Sequence, residues 1–148
     1  MTPGRHIPST TSVRCLQARA KVADPAPEVR RARAQAGRGD AAWRRRLQRY
    51  EHGDTLIVAL TSFAMIEGEG ERPAPVCFSH ETVWIDRPVA AEDLAERLRE
   101  VAARDFQTVA PRLRDRGIRL DRDDELAVQV VIDSDVEQRL QPGDDTPE

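Results

Sequence analysis

Residues 55–66 read Thr55-Leu56-Ile57-Val58-Ala59-Leu60-Thr61-Ser62-Phe63-Ala64-Met65-Ile66. Both alternating sets are apolar through Leu60, the pattern of a strand buried on both faces. Glu67-Gly68-Glu69-Gly70-Glu71-Arg72-Pro73 reads as a loop. Residues 76–86 then alternate: Val76, Phe78, His80, Thr82 and Trp84 on one side, Cys77, Ser79, Glu81, Val83 and Ile85 on the other. Two such runs joined by a short loop pair antiparallel in the simplest arrangement. A turn near residues 70–71 sets His80 opposite Thr61 or Ser62.

Downstream, Pro88 closes the strand region and a long helix follows. Leu94, Leu98, Val101, Ala102, Phe106, Val109 and Leu113 form its apolar stripe. Glu92 and Asp93 suit the positive end of the helix dipole, Arg112, Arg114 and Arg116 the negative end, and Gly117 the stop. Pro111 has no N–H and clashes with the carbonyl of Gln107, which predicts a kink or a split between 107 and 111. Ile118-Arg119-Leu120 and residues 126–133 read as strands around a turn, Asp121-Arg122-Asp123-Asp124-Glu125. The order strand-strand-helix-strand-strand implies an α+β fold: a small antiparallel sheet with one long Pro-kinked helix on one face.

Upstream, Asp40 can cap a helix in which Trp43, Leu47 and Tyr50 fall at i, i+4 and i+7. This is a short basic amphipathic helix. A second short helix spans residues 28–36, between Pro27 and Gly37, with a thin apolar side of Val29, Ala32 and Ala36. Residues 1–27 hold four prolines and a Ser/Thr cluster with no sustained period. Val, Ile, Leu and Phe number 6 in residues 1–50 and 26 in residues 51–148, so only the second part can bury a core. The expected organisation is a basic, mostly disordered leader over 1–38, a single α+β domain over 39–140 that includes the Trp43 helix, and an acidic disordered tail over 141–148.

Charge repeats the division. Residues 1–50 carry 12 Lys or Arg against three acids, and residues 51–148 carry 11 Arg against 23 acids. The net −3 therefore combines +9 with −12. A basic arm on an acidic domain can meet nucleic acid, an acidic partner, an anionic membrane surface, or the domain itself. Lys21 is the only lysine. No Gly-Lys-Ser/Thr triplet exists for a phosphate loop, and Lys21 is a poor candidate for Schiff-base chemistry. Cys15 and Cys77 have no metal-ligand spacing and read as free thiols. No apolar run approaches the roughly 20 residues of a membrane span. The expected location is the cytoplasm. The alternative is an organelle, reached through the acid-free residues 1–23.

The chemistry-bearing candidates are few. His80 beside a hydroxyl, with Ser62 the catalytic candidate, is the start of a nucleophilic dyad. The ordinary alternative is a half-buried histidine bonded to a neighbouring hydroxyl. The acidic run 121–125 lacks the glycine and terminal acid of a helix–loop–helix calcium site and reads as a solvated turn. Gly68-Glu69-Gly70 and Gly37-Arg38-Gly39 lack the third glycine of a dinucleotide loop. No cofactor or metal site is expected. Arg44, Arg45, Arg46 and Arg49 form a binding arm without a helix-turn-helix, zinc-finger or aromatic RNA-binding signature. The first reading is a non-enzymatic accessory or interaction protein that self-associates or docks on a partner, a homodimer or a hetero-complex being expected because one helix cannot cover both faces of the 55–60 strand. A nucleic-acid-associated regulator is the alternative, and a small enzyme centred on His80 the third.

Overall fold

The computed structural model describes residues 11–68, 70–120 and 126–142. Its elements, in order, are β1 (Ser12–Val22), α1 (Pro25–Gly37), α2 (Ala41–Glu51), β2 (Thr55–Glu67), β3 (Ala74–Asp86), α3 (Ala91–Asp115), β4 (Arg119–Leu120), β5 (Val128–Ile132) and α4 (Ser134–Glu137). The fold is mixed α and β, with one five-stranded sheet in the order β3-β2-β1-β4, and β5 also paired with β1.

The sheet turns on β1, which the sequence reading placed in a disordered leader. That expectation fails for residues 12–22, which form a strand, whereas the short helix expected over 28–36 is present as α1. Residues 1–10, the 121–125 turn and the end of the acidic tail lie outside the described residues. In β1, Leu16, Ala18 and Ala20 are buried while Gln17, Arg19 and Lys21 are half-buried or exposed, the alternation of a strand. Ala23 N–H donates to Ile57 O at 3.0 Å, and Arg14 pairs with Glu67 at 2.7 Å. Rising numbers in β1 thus meet falling numbers in β2, an antiparallel pair. On the other edge β1 meets β4 in parallel, Ser12 opposite Arg119 and Val13 opposite Leu120. Leu16 N–H donates to Ala127 O, and Asp133 N–H to Ala20 O, each at 2.9 Å, so β5 also runs parallel to β1. The sheet is mixed, not antiparallel as expected. The hairpin alone suggested antiparallel pairing, whereas the crossover through α3 returns the chain in parallel.

The Asp40 cap is as the sequence indicated, and Asp24 supplies one that the sequence reading did not name. Asp40 accepts from Ala42 N–H at 3.0 Å and from Trp43 N–H at 3.2 Å, and Asp24 caps α1 through Ala26 N–H at 3.1 Å. Gly117, at φ 81°, follows the end of α3. That helix neither ends nor restarts at Pro111. The proline lies close to its end, where one lost hydrogen bond is the main cost, and Arg116 N–H still reaches Arg112 O at 3.2 Å.

Contacts divide the chain into two units, one from residues 1–19, 61–80 and 96–131, the other from 20–60, 81–95 and 132–148. The first is built on Val13, Leu16, Ala64, Phe106 and Ala110, with Ile66, Phe78, Val109 and Leu113 against them. In the second, Val29 and Ala32 of α1 are buried, as are Leu56, Ile57, Val58, Val83, Ile85, Leu94 and Val136. Arg87, 5% exposed, donates to Gly53 O and to Arg139 O there, and its backbone N–H to Asp54 O. Because consecutive residues Leu56, Ile57 and Val58 are all buried within the chain itself, the uncovered strand face on which the homodimer expectation rested is absent.

The central position of β1 sets a first test. Leu16→Ala should cost about 2–5 kcal/mol in urea unfolding, the range for a large buried aliphatic side chain. A chain beginning at Asp24 should lose its cooperative thermal transition altogether. A sharp transition in that truncated chain would refute the role given to β1.

Candidate functional site

The Arg-rich segment is ordered as two helices. α2 buries none of its residues, and its face toward the protein is Trp43, Leu47 and Tyr50, each half-buried. Trp43 meets Trp84 of β3 edge-on at 5.7 Å between centroids, and Tyr50 meets the same ring at 5.9 Å. Edge-to-face pairs at this spacing suit the aromatic quadrupole. Trp84 Nε1 donates to Glu28 Oε1 of α1 at 3.2 Å, and the same carboxylate oxygen accepts from Arg31 at 3.2 Å. Arg31 and Arg46 both stack on Trp43, their guanidinium carbons 5.3 and 5.0 Å from the ring centroid.

The four arginines of the expected arm therefore divide. Arg46 covers Trp43, and Arg49 pairs with Asp86 at 3.2 Å. Arg44 and Arg45 are exposed, as are Arg30 of α1 and Arg38 between the helices, and none of these four has an acidic partner among the described residues. The helix pair presents concentrated positive charge on a rigid aromatic base. The sequence reading named the arm but missed the roles of Glu28 and Trp84, which with Arg31 hold it. Glu28 and Arg31 stand at i, i+3 on one helix, the spacing that could have revealed them.

His80 is exposed, and its Nδ1 shares a hydrogen bond of 2.9 Å with Thr61 Oγ1. The partner is thus the first of the two hydroxyls that the hairpin register offered. Ser62 points away: its side chain is fully buried, and its Oγ has no hydrogen-bond partner among the described residues. The structure brings His80 and Ser62 to neighbouring positions without joining them, because adjacent strand residues face opposite ways. No carboxylate among the described residues bonds His80, so nothing of that kind orients its imidazole as a general base requires. Among the described residues no group of three or more His, Cys, Asp or Glu is placed to hold a metal ion. Cys15 and Cys77 are free thiols. No helix among the described residues is long and apolar enough to cross a membrane.

Comparison with protein-family models, with curated proteins and with solved structures returns no match for this chain.

The Trp43 contacts can be weighed directly. Trp43→Ala should cost about 1.5–3 kcal/mol in urea unfolding, below the roughly 3–5 kcal/mol of a fully buried aromatic because the ring is only half-buried. The emission of Trp84 should shift to the red as its neighbour is lost. An unchanged midpoint and unchanged emission would remove the aromatic base of the α1–α2 surface.

Proposed function

We propose that this chain is a non-catalytic interaction protein whose α1–α2 arginine surface docks on an acidic surface of a partner protein. The observation that carries the reading is the set Arg30, Arg38, Arg44 and Arg45, exposed and without acidic partners among the described residues. They stand on helices fixed by Trp43, Trp84 and Glu28. The backbone that carries these cations is already ordered and loses little further freedom on binding, which favours a specific contact over a loose electrostatic one. The aromatic rings are packed against one another and are poorly placed as a base-stacking platform. The rest of the chain, at −12 over residues 51–148, repels a phosphate backbone. Both points favour protein over nucleic acid as the partner, and a second copy of this acidic chain is one such protein.

A photo-crosslinking residue in place of Arg45 should capture a specific acidic protein, with Arg44→Glu on the same chain abolishing capture. The same residue in place of Glu100, exposed on α3, should not capture it. Random duplex should not bind appreciably at physiological salt. Duplex binding that falls steeply and log-linearly with salt, and is lost with Arg44→Glu and Arg45→Glu, would replace the protein reading with the nucleic-acid one. Light scattering at low and high salt separates self-association from a heterologous partner: a dimer lost in salt marks arm exchange between copies.

A further inference from the structure

We propose that the groove between the β2–β3 hairpin and the end of α3 binds a small amphipathic carboxylate, with its apolar chain on Ile66, Phe78 and Leu113 and its head group on Arg112 and Arg116. These residues line a cavity of about 240 Å³ that lies wholly within one of the two units. Its apolar walls are preformed. Phe78 meets Phe106 edge-on at 5.3 Å, and Ile66 and Leu113 pack on the core of Val13, Leu16, Ala64, Phe106 and Ala110. The volume is below the roughly 300–1,000 Å³ of sites for drug-sized ligands, so the occupant is short.

The charge at the rim selects its chemistry. Arg112 stands in the last turn of α3 and Arg116 one residue past its end, both exposed, with no acidic partner among the described residues. Two guanidinium groups facing one groove repel each other, and an anion seated between them removes that repulsion. A planar guanidinium matches a carboxylate with two parallel hydrogen bonds. A bare anion would make no use of Ile66 and Phe78, and a neutral lipid would make no use of the arginines. A carboxylate on a short aliphatic chain uses both.

Cys77 supplies the readout, because it lines the same cavity and its thiol is exposed. Iodoacetamide alkylation of the full chain, followed peptide by peptide, reports Cys77 and uses Cys15 of β1 as internal reference. Octanoate should slow alkylation at Cys77 saturably and leave Cys15 unchanged. Acetate should have no effect, and affinity should rise about fourfold per methylene between butyrate and octanoate, the value of one buried CH₂. Arg112→Gln with Arg116→Gln, at exposed positions and with an unchanged circular dichroism spectrum, should weaken octanoate by roughly tenfold or more, the loss of charge-assisted bonds. Equal protection by octan-1-ol, undiminished octanoate affinity in the double variant, or no saturable protection at millimolar octanoate would each overturn the proposal.

Discussion

An interior strand must satisfy its backbone groups on both edges, and here that strand is β1. One edge joins β2 and so the hairpin; the other collects β4 and β5. β4 has two residues and β5 five, too little to persist without a template. The segment that looked least like a folded domain is therefore what makes the late strands part of the sheet. It also fixes the sense of the whole arrangement. A meander of β1, β2 and β3 leaves the chain on the far edge, and only a crossover through α3 brings it back beside β1, where it must run parallel.

The same strand changes the meaning of the charge asymmetry. Residues 1–50 are strongly basic, yet the described part of them is a strand and two helices, not a loose arm. Some of the charge is absorbed locally: Arg31 by Glu28 and Trp43, Arg46 by Trp43, Arg49 by Asp86, and Arg33 by Glu51 at 3.8 Å. Exposed pairs of this kind contribute about 0–1 kcal/mol each. They orient side chains more than they stabilise the fold. The arginines without such partners differ by position alone, on the turn and outward sides of α1 and α2, which is why they carry the functional reading.

Legibility followed side-chain size. The hairpin, the stripe of α3 and the Asp40 cap rest on large apolar residues or on a specific donor–acceptor geometry, and each was readable. The register that set His80 opposite Thr61 or Ser62 followed from loop length, and the choice of Thr61 did not. β1 was lost because two of its inner residues, Ala18 and Ala20, are small and weak strand formers. Counting Val, Ile, Leu and Phe missed them, although Leu16, Ala18, Ala20 and Val22 alternate with Gln17, Arg19 and Lys21. The short α4 escaped for a related reason: four residues carry too little period to detect, and Val136 alone marks its burial. The role of Trp84 depends on α1 and α2 meeting β3, a contact between segments distant in sequence that no local pattern encodes.

The groove has its own origin in a broken pattern. Strict alternation along β3 would send Phe78 and Ser79 to opposite faces. Instead Phe78 packs on Phe106, and Ser79 Oγ donates to Asp105 Oδ2 at 3.0 Å, so two consecutive residues reach the same helix. The alternation slips by one residue at that point, as happens where a strand accommodates a bulge. β3 is an edge strand among the described residues, with no ladder there on its outer side to forbid the slip. Were the alternation kept from Ser79 outward, Phe78 would leave α3, and the apolar wall beneath Arg112 and Arg116 would be open. A one-residue irregularity in an edge strand thus decides whether the end of α3 carries a lined cavity or a bare arginine face.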